Sequence, residues 1–498
     1  MKKILIIFMI GIGLPQLNAQ SISDAVNFST ENLTGTARYR GVSGAFGALG
    51  GDLSAINNNP AGSAVFNQSF VSLSLSSDGY DNQTHYGDDI TTTTSNDLDF
   101  NQLGAVFVSS GSGSLTKFTF GFNYDRANDF DNQFVAKGMS SNSISDFFLG
   151  FAQGTPLELL ELQDGESIDD LYQYLGENES YNAQQAFLGY QGYLIDPESS
   201  DLDNEFYTSA QNGNAFDQEY RYTSFGNNSK FAINAAGQFG ENFYLGANLN
   251  IHTFNYTRNT LLFEDNAQAS NAVSSLDFEN IYRSIGSGAS LQVGAIYKAT
   301  QSLRLGLSLD SPTYYTISEE TEQYLRTSGE NGEVVINPNV INVYQDYEFQ
   351  TPAKATGSIA YVFSAGGFLS FDYTYQDYGS IKYRPESDSY FQQLNSDISS
   401  NLKSSSTYRL GGEFLAGNWS FRGGYRFQES PYLNESTLGD LTGYSVGLGY
   451  TIGNARIDLA YDWAKQEQNP ALYDSAFTNT AFIDHINTSV VASLSFRL

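Results

Sequence analysis

The sequence predicts an all-β membrane protein: a 14-stranded antiparallel transmembrane β-barrel with a plugged lumen and helical extracellular loops. Three observations carry that prediction. The amino terminus reads as an export signal, period-2 alternation recurs along the chain, and the segments that alternate are joined by connections that are short and long in strict turn.

Export comes first. Lys2 and Lys3 precede an apolar run over 4–14, followed by Pro15 and Ala19, which is a positive n-region, an h-region and a small residue at a cleavage site. The run is too short for a membrane-spanning helix, which needs roughly 20 apolar residues. Leu17, at −3 from a cut after Ala19, is larger than usual there. The chain has no Cys, which closes the lipoprotein route and rules out a disulfide framework. Residues 1–19 are therefore read as a signal peptide, 20–66 as a plug, and 67–498 as the barrel.

Composition agrees. With 47 Gly, 34 Tyr and 36 Phe but only 10 Pro, and a mean hydropathy of −0.32, the chain suits strands of which every second residue meets lipid. The net charge of −31 excludes nucleic acid as a partner. Acids such as Asp164, Glu166, Asp169, Asp170, Glu177 and Glu179 sit between the alternating segments and read as solvated loops.

The alternation is clearest at the carboxyl end, where Val490, Ala492, Leu494, Phe496 and Leu498 oppose Val491, Ser493, Ser495 and Arg497. Phe118, Phe120, Phe122 and Tyr124 oppose Lys117, Thr119, Gly121, Asn123 and Asp125, and Trp419, Phe421, Tyr425 and Phe427 oppose Ser420, Arg422, Gly424 and Arg426. Residues 303–310 and 456–463 behave likewise. Fourteen segments emerge, near 68–77, 101–110, 115–126, 229–240, 242–260, 288–299, 302–311, 349–364, 366–378, 405–417, 419–428, 441–453, 454–466 and 487–498. The fifth changes parity after Ile251, which a bulge or emergence above the bilayer would explain. Short connections fall at 111–114, 240–241, 299–301, 365, 417–418 and 453; long ones at 78–100, 127–228, 261–287, 312–348, 379–404, 429–440 and 467–486. An even-stranded barrel with both termini in the periplasm has short turns on one side and long loops outside. Closure leaves no strand edge unsatisfied in lipid. The final strand ends in Leu498 where an assembly signal usually ends in an aromatic residue, and it is still read as a signal for the barrel-assembly machinery.

Residues 35–66 do not alternate. Glycines at 35, 41, 44, 47, 50 and 51 lead into Asn57-Asn58-Asn59-Pro60-Ala61-Gly62. Such a segment folds tightly and approaches its neighbours closely, and ahead of a barrel its natural place is the lumen. The stretch from Gly44 to Gly62 resembles the N-terminal hatch of the FadL-type outer-membrane transporters for long-chain fatty acids and aromatic hydrocarbons. The resemblance implies fourteen strands and a hatch with an Asn-Pro-Ala motif just before the first strand, here Asn59, Pro60 and Ala61. It implies gating by those residues with Gly50, Gly51 and Asp52, and ligand contact by the apolar hatch residues Phe46, Leu49 and Ile56. It also implies localisation in the outer membrane of a Gram-negative-type bacterium, in contact with its lipid, as a porin-like monomer without cofactor.

Two further groups are candidates for ligand binding. In 127–228, Ile144, Phe147, Phe148 and Phe151, and again Ile168, Leu171, Tyr172 and Leu175, fall at i, i+3, i+4, i+7 after a serine, with Leu157 and Leu160 between them. Their apolar faces either form a capture groove or pack on one another as a cap. The inward faces of late strands carry Arg409, Arg422, Arg426, Arg456 and Arg497 near Glu413, Asp458 and Asp462. These arginines either hold a substrate carboxylate or pair with those acids and with Asp52. Gly121 is the candidate for a strand kink that releases ligand sideways.

The three histidines, His85, His252 and His485, are too dispersed for a metal site or a triad, and no phosphate loop joins strand to helix. The expected function is passive uptake of a hydrophobic small molecule, with no enzymatic activity. The rival expectation, implied by relatives of the fold, is an outer-membrane scaffold or carrier in protein secretion.

Overall fold

A computed structural model describes residues 20–211, 213–266, 273–330, 332–364, 366–473 and 477–498. Residues 1–19, expected to be a signal peptide, the turn residue 365 and parts of four long connections lie outside them.

Fourteen strands close a ring: β1 (Phe70–Tyr86), β2 (Asp89–Ser112), β3 (Leu115–Asp129), β4 (Phe216–Phe239), β5 (Phe243–Asp265), β6 (Val273–Lys298), β7 (Leu303–Asp310), β8 (Lys354–Val362), β9 (Gly367–Asp377), β10 (Ser404–Ala416), β11 (Trp419–Gln428), β12 (Leu438–Ile452), β13 (Ala455–Gln468) and β14 (Phe482–Arg497). Each pairs antiparallel with its neighbours in sequence, and β14 returns to β1 from Phe70↔Arg497 to His85↔Phe482. Among the described residues no helix is long and apolar enough to cross a membrane.

Alternation decides the faces. Phe118, Phe120, Phe122, Leu305, Leu307, Leu309, Ile457 and Leu459 are exposed on the outside, while Ser72, Ser74, Asn123, Asn234, Asn248 and Asp372 are buried inside. On β5 the outward apolar series runs Phe243, Leu245, Leu249, Ile251 and then stops at Thr253 and Asn255. Eight residue steps at about 3.3 Å and a tilt of about 40° span about 20 Å, close to the apolar band of an outer-membrane barrel.

Above that belt the structure departs from the expected loops. The ladders of β5 with β4 and β6 carry no register shift, so the parity change after Ile251 is not a bulge. The strand keeps its alternation, and Phe254 and Tyr256 are now buried inside. Residues 78–100, read as a loop, continue β1 and β2 to a tight turn at Gly87 (φ +58°). Ser, Thr, Asp and Asn dominate both faces there, so no apolar period marks the strands. The connection 261–287 is likewise mostly β5 and β6, and 312–348 contains Tyr314–Gly329, which pairs with β6 above β7. Gly121 is not a kink: β3 pairs regularly through it with both β2 and β4.

Helices close the top. α3 (Ser145–Ala152), α4 (Ile168–Asn178) and α5 (Tyr181–Gln191) lie between β3 and β4, and α6 (Ser389–Asn401) between β9 and β10. α3 and α4 match the expected periodicities. α5 and α6 were not anticipated, although Phe391, Leu394, Asn395 and Ile398 bury one face of α6 after the N-cap Asp388.

Candidate functional site: a plugged lumen beneath a capped cavity

Residues 20–66 lie inside the ring. α1 (Ile22–Ser29) starts at Ser21, whose hydroxyl accepts from Asp24 N, and α2 (Ala37–Arg40) starts at Thr36, which accepts from Tyr39 N. Two 3₁₀ turns, Ser54–Asn57 and Pro60–Val65, end the segment. Asn59 caps the second: its Oδ1 accepts from Ala61 N at 3.1 Å, while its Nδ2 donates to Gly47 O at 2.7 Å and lies 3.1 Å from Ala295 O on the barrel wall. Pro60 at the first position of the turn needs no N–H partner. Gly50 and Gly51 (φ +64° and +73°) make the tight turn that lets Gly51 N donate to Gly62 O at 3.0 Å. The wall meets the plug with glycine: a Cβ on Gly294 would stand 2.1 Å from Asn59 Oδ1, and one on Gly306 would stand 2.3 Å from Gly47 O.

Wall carboxylates hold the plug backbone. Asp372 accepts from Phe46 N and Gly47 N at 3.0 and 2.9 Å and from Asn58 Nδ2 at 2.8 Å. Asp125 accepts from Ser54 Oγ at 3.1 Å and from the Asn57 amide. Ion pairs add four ties, one of them between Arg258 of β5 and Asp24 of α1 at 3.0 Å. Arg38 reaches Glu413 with Nε and Nη2 at 3.1 and 2.9 Å. Arg40 reaches Asp462 at 2.8 Å and Asp78 at 3.4 Å. Glu31 is held by Lys230 of β4 at 3.0 Å and by Lys354 of β8 at 2.6 Å. Such buried charges are tolerable because each is paired.

The arginines then sort themselves. Arg422 gives Nε to Glu413 and Nη2 to Asp458, both at 2.7 Å, and Arg456 joins the same two acids. Arg409 donates to Thr374 at 3.2 Å. Arg497 is exposed at the end of β14 rather than inside. Asp52 does not pair with an arginine; it accepts from Thr36 Oγ1 at 2.8 Å and Ser54 N at 3.0 Å, bracing the plug internally. Among the described residues Arg426, unlike the other inward-facing arginines of this group, has no hydrogen-bond or ion-pair partner, and it faces a cavity.

That cavity holds about 1200 Å³ between plug and cap. Arg40, Arg426, Asp78 and Asp462 border it where β11, β13 and β1 meet the plug, and Phe147, Phe151, Tyr181 and Tyr220 border it under the helices. A wall of rings stands beside α1: Phe28 stacks on Phe254 at 4.7 Å and meets Tyr256, Phe130 and Phe349 edge-on at 5.8 to 6.2 Å. Two sequence signals bear on this wall: Ser21 with Asp24 three residues on is a capping pattern, and the apolar series of β5 passes after Ile251 to Phe254 and Tyr256, which the unbroken alternation points inward.

Of the other candidate ligand residues, Phe147 and Phe151 line the cavity, whereas Phe148, Leu157 and Leu160 are buried in the cap core, with Phe148 packed on Phe278 at 4.9 Å. Phe46, Leu49 and Ile56 are buried between plug and wall, Phe46 against Phe368 at 5.5 Å, and do not reach the cavity. Asp78, Asp99 and Asp129 bring three carboxylates together, but Arg126 pairs with each at 2.5 to 3.3 Å and occupies the position a cation would take.

No protein-family model and no curated protein matches the sequence. Solved structures do match the fold. A FadL homologue from Pseudomonas aeruginosa aligns over 94% of this chain and 99% of its own, with 12% identity and a TM-score of 0.55. The Pseudomonas putida toluene transporter TodX aligns over 94% and 100%, with 13% identity and a TM-score of 0.52. The resemblance read at 44–62 is thus matched by the architecture of the whole chain: an outer-membrane-type barrel of the FadL-type fold.

Proposed function

We propose that the protein admits hydrophobic small molecules passively across the outer membrane, through the capped cavity and past a gating hatch formed by residues 20–66. The observation that carries this reading is the cavity itself: about 1200 Å³ of space, aromatic on the cap side, with one unpaired guanidinium, Arg426, at the plug side. An aromatic wall takes up apolar ligand surface, and an arginine without a partner is a seat for a carboxylate. The transporters that share the fold support it. Asn59, Pro60 and Ala61 with Gly50, Gly51 and Asp52 form the turn that must move for a ligand to pass. No energy source and no catalysis are needed, because differential affinity for the displaced hatch drives its shift.

The test is native mass spectrometry of barrel extracted in mild detergent, followed by binding of a long-chain carboxylate and of a neutral alkylbenzene. Arg426→Gln is expected to weaken the carboxylate by about 10- to 100-fold, the loss of a hydrogen bond to a charged group, and to leave the neutral ligand unchanged. An empty cavity that takes neither probe, with a stoichiometric protein copurifying, would replace this reading by the secretion scaffold.

A further inference from the structure

Beside α1 the lumen holds a carboxylate without a cation. Glu319, 1% exposed, accepts the hydroxyls of Tyr282 and Tyr347 on Oε1, both at 2.5 Å, and the side-chain amide of Gln20 on Oε2 at 2.5 Å. Among the described residues no Lys, Arg or His pairs with it. The other charged and titratable groups packed around it are Asp24 with Arg258, which pair with each other at 3.0 Å, and Tyr344, Tyr383, Tyr390 and Tyr432. The chamber thus holds two carboxylates and one guanidinium. Burial pushes the Glu319 carboxyl up to about 7, as expected of an acid lacking a countercharge.

The same chamber grips the start of the described chain. Tyr390 donates to Gln20 O at 2.6 Å, and Tyr383 donates to Ser21 O at 3.2 Å. Gln20 is 7% exposed, and its Oε1 is buried without a hydrogen-bond partner. These contacts hold the residue that the sequence places first after leader cleavage.

We propose that this chamber is the receptor for the chain's own processed amino terminus: hydrolysis of the Ala19–Gln20 bond creates an α-ammonium that pairs with Glu319 and fixes α1 in the lumen. The inference rests on the leader reading of residues 1–19 and is independent of what the barrel transports. Water supplies its oxygen to the leader's new carboxylate and both of its protons to the released nitrogen, which becomes the α-ammonium, so the chamber gains the cation it lacks. The pairing has a chemical consequence. An N-terminal glutamine cyclises when its neutral amine attacks its own side-chain carbonyl and expels ammonia. An amine kept protonated by Glu319 has no lone pair for that attack, so the terminus stays open.

The experiment uses full-length barrel purified from outer membranes, with heat-modifiability as the check on folding. The expected result is a chain beginning at Gln20 with an uncyclised amine. Its reaction with an amine-specific reagent is expected to show a midpoint at least one pH unit above the ordinary α-amino range of about 7.7–8.0. Glu319→Gln is expected to return the midpoint to that range and speed labelling at least about fourfold at pH 8. Cleavage at another bond overturns the leader reading and the proposal with it. A correct start at Gln20 with a cyclised terminus, or with an ordinary midpoint in the unaltered chain, overturns the pairing alone. The titration of the unaltered chain decides the matter even if the variant does not fold.

Discussion

Replacing Asn59 by alanine tests whether one side chain sets the position of the plug. Its cap, its bond to Gly47 O and its contacts with the wall carbonyls of Ala295 and Leu307 go at once. Loss of an N-cap costs about 0.5–2 kcal/mol. Gly47 O, buried under the wall, loses its 2.7 Å donor, and an unsatisfied buried acceptor costs about 1–3 kcal/mol. The contact with Ala295 O at 3.1 Å is shared with a strand carbonyl and adds little. The sum, about 1.5–5 kcal/mol against the seated plug, raises the displaced population by about 10- to 4000-fold at about 1.4 kcal/mol per decade. The barrel ladders are untouched, so global stability is expected to hold. Hydrogen exchange reads the shift directly: the amides of Leu49, Gly51 and Gly62, bonded to Phe46 O, Gly62 O and Asn59 O, should exchange faster by that factor, while those of β6 and β7 do not. Asn59→Asp separates the causes. It keeps the cap acceptor but turns the donor into a charge facing the Gly47 and Ala295 carbonyls, and is expected to be worse than alanine. If Asn59→Asp behaves as the parent, or Asn59→Ala leaves plug exchange unchanged, the reasoning fails.

Glu413→Gln leaves Arg38, Arg422 and Arg456 sharing Asp458 and is expected to cost about 3–5 kcal/mol, seen as a lower heat-modifiability midpoint. Adding Arg38→Gln should cost less than the two changes separately, because both break one network. Phe28→Ala removes the ring at the centre of the aromatic wall and is expected to destabilise α1 by about 3–5 kcal/mol, measured as faster exchange of residues 22–29. His485, above the apolar belt, is held down to about 4 by burial beside Asn82. Its neutral form therefore contributes stability in full above the ordinary value of about 6.5, and that contribution is lost as pH falls toward 4. The heat-modifiability midpoint should drop across that window, and His485→Gln should flatten the drop.

How much of this was legible depended on where one face of a strand met a different medium from the other. From Phe118 to Phe122 or Leu305 to Leu309, lipid on one side and polar lumen on the other impose a contrast that a single sequence displays. The plug was legible from its glycines and Asn59-Pro60, because tight turns need particular residues. Residues 78–100 were not, since both faces are polar and pairing alone makes them strand. The cavity was only half legible: Phe147 and Phe151 point into it, but Phe148, three residues before Phe151, belongs to the cap core, and periodicity does not distinguish the two. Nor did the arginines declare which would stay unpaired. Arg422 and Arg426 lie on the same face of β11, and only the placement of Glu413 and Asp458 gives one of them partners.

The inversion along β5 has a consequence for how the molecule responds to solvent. Below Ile251 the strand is greasy outside and polar inside; above it, Phe254 and Tyr256 make a buried centre while Thr253 and Asn255 face water. One continuous set of strands thus carries two storeys with opposite solvent logic, the upper one built like a water-soluble barrel around an aromatic heart. Urea, which weakens apolar burial from water, acts on the upper storey while the lipid-clad one stands. The upper rim is therefore the part expected to melt first and refold in place, on a foundation that never left the membrane.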